Sequence, residues 1–357
     1  MRKVLVILLI VGSLCIAAAL GQQPGAPVPD QVRVQGLAVS PDGKRIALDR
    51  MTLGEDPLPR HEMWVVGIRG QQAHCVWAAP RPEGSCRYPT WLRDSRRLVW
   101  YAWDGGIHRM DLMVASAEGG RRRWLTNTPD TMELLPVACP TSDWVAYATM
   151  LPRATDSDLW AISAGGGEVV HLARPAVRSS STGVQQAWRS DGTELYFLTR
   201  DANGQRTVQG VGFADGRPGA VRTLVTDDRL QMFFVSPDGT RVAYSLPGAA
   251  PDVGPLLLTE AGTPTNGRPL AAVAHWWFLA WAPDSVSLCF LRSEDDGSYA
   301  LCTVDTETMT ELQLATGVRG LARQNAWTKD GRIVFTRDGG EIWTVQSDGT
   351  GETRVFP

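Results

Sequence analysis

The chain has 357 residues, among them five histidines, six cysteines and 38 aspartates and glutamates. These are the residue types that could catalyse or hold a metal. His61, His74, His108, His171 and His275 fall in no H-x-H or H-E-x-x-H spacing, so no single segment encodes a zinc site. His108 and His171 read as strand residues with satisfied hydrogen bonds. His61 and His275 read as loop residues and are the better ligand candidates. Asp227-Asp228 and Glu294-Asp295-Asp296 lie in turns and lack the D-x-[DN]-x-[DN]-G spacing of a calcium loop; solvated turns are the simpler reading. No G-x-S-x-G elbow occurs, so the nucleophile turn of a serine hydrolase is missing. Nothing in the sequence calls for a metal or another cofactor, and no residue is singled out as catalytic.

Aromatic and basic residues offer binding rather than bond-breaking. The chain has 14 tryptophans. Trp91, Trp188, Trp281 and Trp327 each stand three residues before a recurring Asp or its equivalent, so they read as core. Trp276 and Trp277, beside His275, fit no such slot. They read as a loop-tip pair, a candidate anchor for a partner or a sugar. Arg121-Arg122-Arg123 is a short basic run that reads as a solvated edge. The net charge of −3 argues against a nucleic-acid or anionic-membrane surface.

The elements that position these residues come from a repeat. Ser236 to Tyr244 reads SPDGTRVAY, and related segments begin at Ser40, Leu92, Cys139, Arg189, Ala282 and Thr328. Six of the seven carry the Asp: Asp42, Asp94, Asp191, Asp238, Asp284 and Asp330; Thr141 holds the third slot. A period of about 50 residues signals a repeat architecture. Each repeat reads as four strands. An apolar strand A leads into the Asp-Gly turn, where Asp caps its own backbone and Gly accepts positive φ. Strands B, C and D follow, separated by polar or Gly-rich turns. A two-residue turn at Asp338-Gly339 would place Val334 opposite Trp343. The same register pairs Ala47 with Trp64, Ala146 with Trp160, Val99 with His108, and Cys289 with Cys302. The last pair could form a disulfide in an oxidising compartment; Cys75 and Cys86 are a weaker pair. The fold class expected is all-β: a seven-bladed β-propeller of four-stranded antiparallel blades, with six blades as the alternative.

The S-P-D-G-x-x-[IV]-A-[FY] motif, Asp158-Leu159-Trp160 and Arg123-Trp124-Leu125-Thr126 resemble the WD40-like (PD40) repeats of TolB-type periplasmic propellers. The resemblance implies an exported propeller that binds a protein partner. TolB itself adds an α/β domain and has six blades, so its own partner, a peptidoglycan-associated lipoprotein, is not carried over. Met1-Arg2-Lys3 and the apolar run to Leu20 read as a signal peptide over residues 1–21. A lipoprotein leader ending at Cys15 and an uncleaved anchor are the alternatives. Residues 22–31 form a Pro-rich lead-in, and 32–357 a single propeller domain. The mature chain is expected to be periplasmic or secreted, outside the membrane and monomeric, with no N-terminal strand to latch its last blade.

In a propeller the loops entering each strand A converge on one mouth of the central channel. The equivalent positions include Arg87, Tyr88, Gln185, Gln231, Trp277, Phe278, Arg323 and Gln324, with His275 and Trp276 beside them. Arginines, amides and aromatic faces together, without a carboxylate, suit a carboxylate-bearing peptide. The function expected is a non-catalytic scaffold that binds a protein or peptide, such as a cell-envelope component, at one face of the disc. The alternative is a polysaccharide-active or other small-substrate enzyme at the channel mouth. A cluster of histidines and carboxylates there would favour the enzyme.

Overall fold

Each recurring Asp shapes its turn as its chemistry requires. In the computed structural model, Asp238 Oδ1 accepts the Thr240 N–H at 3.0 Å and the Ser236 hydroxyl at 2.6 Å. Asp42 does the same with Lys44 and Ser40. Asp94, Asp191 and Asp284 each accept the backbone N–H two residues on. Gly239 has φ +75° and a Cβ there would stand 2.5 Å from the Tyr196 hydroxyl, so glycine alone fits. The structure describes residues 31–357 apart from 55, 57, 107–108, 151–155, 181–182, 201–202, 250–251, 264–266 and 323–324. The leader and all but the last residue of the Pro-rich lead-in lie outside them.

Between the turns the short β-branched and aromatic runs pair antiparallel. Gln31–Val39, Arg45–Leu53, Arg60–Gly67 and His74–Ala78 form the first four-stranded unit. Ser85–Trp91, Arg97–Trp103, Arg109–Ser116 and Arg122–Trp124 form the second. Met132–Ala138 opens the third unit, Gln186–Trp188 the fourth and Met232–Val235 the fifth. The third and fourth are joined by a pairing at Ala176↔Thr199. Arg268–Trp281 is one continuous strand that ends the fifth unit and opens the sixth. Gly320–Leu321, Arg332–Thr336, Ile342–Gln346 and Thr353–Phe356 form the last. No α-helix occurs among the described residues.

The units stand around a central channel lined by the first strands of the first six and by Asn325 of the last. Repeated tryptophans lock neighbours together. The indole N–H of Trp91 donates to the Ala38 carbonyl at 2.9 Å, Trp188 to Val137 at 3.0 Å, Trp281 to Phe234 at 2.9 Å and Trp327 to Ala280 at 3.2 Å. In each case a buried or half-buried donor finds the preceding unit's first strand. The turns are linked as well: Ser95 Oγ accepts the Asp42 N–H and Ser285 Oγ the Asp238 N–H. The apolar core lies between units, as where Leu37, Val39, Ile46 and Leu48 pack with Phe335, Ile342 and Val355. That cluster joins the first unit to the last. Among the described residues Thr353–Phe356 pairs only with Ile342–Gln346, and the last unit packs on the first, with Trp64 6.1 Å from Phe356, ring centre to ring centre.

The expected B–C register is off by one residue. Phe335 faces Trp343, Leu48 faces Trp64 and Tyr147 faces Trp160. The last hairpin turns through a 3-10 turn at Asp338–Gly340 and pairs Thr336 with Ile342, so its loop is longer than two residues. A slip of one flips every side chain to the other face. Cys289 therefore faces Thr303 and Cys302 faces Phe290. The two thiols join different apolar clusters, on either side of the sixth unit. Both are free, as are Cys75 and Cys86, so the disulfide expectation is corrected.

Candidate functional site

At the end of the channel opposite the Asp turns, the first strands do not run straight. They bulge. Gln35-Gly36 oppose the single residue Asp49, Tyr88-Pro89 oppose Trp100, and Leu135-Pro136 oppose Tyr147. Tyr88 and Leu135 hold φ of +53° and +52°, a left-handed conformation costly for bulky side chains. In the sixth unit the bulge widens: four residues, His275 to Phe278, stand between the Ala274↔Arg292 and Leu279↔Phe290 pairs. Bulges of this kind re-aim side chains, and they concentrate beside binding sites.

Asp49 fixes this end. It is buried, 3% exposed. Its Oδ1 accepts the N–H groups of Gln35 and Gly36, each at 3.0 Å, and its Oδ2 accepts the Tyr88 N–H at 2.9 Å. One carboxylate thus ties the bulge of the first unit to that of the second. Burial pushes its pKa up, against the pull of those N–H groups and the Arg87 charge. Gly36 is required for the close approach, since a Cβ would fall 2.6 Å from Asp49 Oδ2 and 3.1 Å from Tyr88 Cα.

Two cavities meet here. The mouth pocket, about 320 Å³, is walled by Val34, Gln35, Arg87, Tyr88, His275, Phe278 and Arg319, among others. The channel cavity, about 340 Å³, is walled by Tyr88, Trp91, Leu135, Gln186, Phe233 and Trp281 among others. Leu37 and Tyr88 belong to both. Neither wall contains a carboxylate among the described residues. Arg319 is held by Asp338 at 2.7 Å. Arg93, at the turn end of the channel, is held by Asp143 at 3.1 Å. Arg87 is half-buried and makes no hydrogen bond or ion pair among the described residues. His61, next to it, is buried in the strand Arg60–Gly67. Burial, and then the Arg87 charge, holds its pKa down to about 4, so it is neutral at physiological pH.

The structure brings Arg87, Tyr88, His275 and Phe278 into the mouth pocket. Gln185 lines the channel, but its amide is engaged by the Phe233 backbone N–H at 2.8 Å and by the Phe233 carbonyl. Gln231 turns instead to Arg206 and the Arg229 carbonyl. His61 and His275 stand in strands rather than loops, paired with Met51 and Val253. The backbone of Trp276 and Trp277 likewise runs in the strand Arg268–Trp281, which corrects the loop-tip reading; their side chains lie outside the described residues. Arg323 and Gln324 lie outside them entirely. His74 is satisfied at both ring nitrogens by the Gln72 and Ala117 carbonyls. His171 stacks edge-on against Trp160. His108 lies outside the described residues. Among those residues no group of three or more His, Cys, Asp or Glu could hold a metal ion.

Sequence reasoning missed Asp49, Gln186, Arg319 and a second buried acid, Glu133. Glu133 is 1% exposed and lies against Asp111, Thr128 and Thr131. Burial, with Asp111 beside it, pushes its pKa up to about 8. A signal existed for Asp49: the matching slot seven places after the repeat Asp holds Tyr101, Ala148, Leu198, Ser245 and Leu291 elsewhere, so a carboxylate there is out of pattern.

No protein-family model matches the sequence, and no curated protein matches it either. Solved structures match widely. The chain is similar to TolB from Acinetobacter baumannii (TM-score 0.52, 12% identity, 90% of this chain and 82% of that one). It is also similar to the β-propeller domain of the Trilobed protease from Pyrococcus furiosus, described as having an open velcro topology (TM-score 0.62, 12% identity, 91% and 96%). A puromycin-hydrolyzing peptidase of Mycobacterium tuberculosis matches with TM-score 0.66 and 15% identity over 91% of this chain. The chain spans about half of that peptidase, 52%. The fold is therefore a β-propeller of the TolB-like, WD40-like kind. Identities this low carry the fold and nothing of the chemistry.

Proposed function

We propose that this chain is an exported, seven-bladed, non-catalytic scaffold that binds a protein or peptide at the channel mouth. The observation that supports this most is Arg87: a half-buried guanidinium in a pocket with Tyr88 and Phe278 and no lining carboxylate. A guanidinium beside aromatic faces is the usual composition of a protein-binding hot spot. Similarity to TolB is consistent with a protein partner. On this reading residues 1–21 are a cleaved leader, 22–31 a lead-in, and the mature domain a periplasmic or secreted monomer. No helix among the described residues is long and apolar enough to cross a membrane. A small-substrate enzyme would need an acid or base facing the pocket. His275, the one imidazole on the mouth wall among the described residues, packs against the tilted ring of Phe278 and edge-on against Tyr299.

The test places a photo-crosslinking residue at Gln35, on the mouth wall, or at Val221, on an outer edge strand. Envelope extract is then irradiated with each purified variant. The expected result is one discrete protein or peptide adduct from position 35 and none from position 221. Adducts from 221 alone, or none from 35, would overturn the proposal.

A further inference from the structure

The mouth pocket and the channel differ in a way that narrows what could occupy them. At the mouth Arg87 offers several N–H donors and meets no acceptor among the described residues. Asp49, the carboxylate whose charge it feels, is already engaged by three backbone N–H groups. The second guanidinium of the pocket, Arg319, is bound by both oxygens of Asp338, at 2.7 and 3.2 Å. His61 behind Arg87 is neutral. One uncommitted guanidinium matches one carboxylate, in the fork geometry that arginine and carboxylate share. A run of acidic residues would find no second open cation here among the described residues.

Behind Tyr88 the environment changes. The channel wall is Trp, Tyr, Phe, Leu and Met with a few amides, and its one guanidinium, Arg93, is paired with Asp143 at the far end. Gln186 is 7% exposed. Its amide nitrogen donates to the Leu135 carbonyl at 2.6 Å, while its Oε1 is buried with no partner. A buried acceptor without a donor is costly, and this oxygen is shielded from the channel space while the rest of the residue lines it. Each cavity, about 320 and about 340 Å³, suits a few residues of extended chain rather than a folded element.

Resting on the proposed binding function, we infer that the site reads the free carboxyl end of a polypeptide. The terminal carboxylate sits on Arg87 at the mouth. The last side chain, uncharged, enters the largely apolar channel past Tyr88. An internal Asp or Glu would need chain leaving the pocket on both sides; an end needs one exit.

The experiment uses the full chain after leader removal and a set of N-acetyl tripeptides, acetyl-Gly-Ala-X. X is Ser, Gln, Tyr, Leu, Asp or Lys, and each peptide is made as the free acid and as the C-terminal amide. Affinities are measured by calorimetry or ligand-observed NMR. The free acids with an uncharged last residue, X = Ser, Gln, Tyr or Leu, should bind best. The amides should bind roughly tenfold to a hundredfold more weakly, as expected for a lost charged hydrogen-bonded pair. Asp and Lys in the last position should be rejected by the uncharged channel. Arg87→Gln should remove the difference between acid and amide, and Arg87→Lys should restore part of it. Equal binding of acid and amide would overturn the inference. So would failure of every free acid to bind a chain whose residue-35 crosslink still captures its partner; that outcome leaves the binding function standing.

Discussion

The two ends of the same strands are built on opposite principles. At the turn end the recurring polar groups have partners: each repeat Asp meets its own backbone or a neighbouring hydroxyl, each indole of the repeated Trp slot meets a carbonyl, and Arg93 meets Asp143, while the Tyr196 hydroxyl beside Gly239 is buried without one. At the mouth end the strands bulge, Tyr88 and Leu135 take left-handed backbone, and among the described residues Arg87 and the buried Gln186 Oε1 have no hydrogen-bond partner. The end that repeats is the more fully paired and holds neighbouring units together. The end that does not repeat leaves polar groups unpaired among the described residues. On the proposed function, repetition within the chain separates scaffold from site.

The largest effect should come from removing a turn-end latch. Trp91 is 4% exposed and donates to Ala38. Trp91→Ala leaves a cavity and an unpaired carbonyl, and should lower stability by about 3–5 kcal/mol in urea unfolding. A cost under about 1 kcal/mol would mean that the tryptophans do not lock the units. Next comes Asp49→Ala, which strands the N–H groups of Gln35, Gly36 and Tyr88 and should cost roughly 2–3 kcal/mol. It should also abolish binding at the mouth. Retained binding would show that the bulges do not need this carboxylate.

A smaller, pH-dependent effect separates the ends further. The folded pKa of Glu133, about 8, lies above its ordinary value of 4.5. The folded state therefore holds a proton that the unfolded chain releases. Its stabilising share is complete below about pH 4.5 and is lost as pH rises through 8. Glu133→Gln should flatten the fall in stability between pH 5 and pH 9 by about 1 kcal/mol or more. Asp49, raised by burial as well, remains in both proteins and cancels in the difference. Parallel curves for the two proteins would show that Glu133 ionises freely in the fold.

The sequence made the turn end legible because its residues recur. The SPDG turn, the Trp slot and the alternation of apolar runs gave the strand order, and the Asp caps behave as turn chemistry requires. The strand register was not legible, because the last hairpin's loop is longer than the Asp-Gly pair implied, and that slip removed the Cys289–Cys302 pair. The mouth was half legible. Counting back from the repeat found Arg87, Tyr88, Gln185 and Phe278. Counting assumes strands of equal path length, however, and the bulge at His275 to Phe278 inserts extra residues. Asp49, Gln186 and Arg319 act through contacts between residues distant in the chain, Asp49 with Tyr88, Gln186 with Leu135 and Arg319 with Asp338, which no local pattern encodes.

The most direct measurement compares two arginines of one channel. Arg87→Ala removes the open guanidinium at the mouth; Arg93→Ala removes the paired one at the turn end. Both variants are checked for folding, then assayed side by side for partner capture through the residue-35 crosslink. Loss of capture with Arg87→Ala and full capture with Arg93→Ala is the predicted result. Capture unchanged by Arg87→Ala, or lost only with Arg93→Ala, would contradict the account.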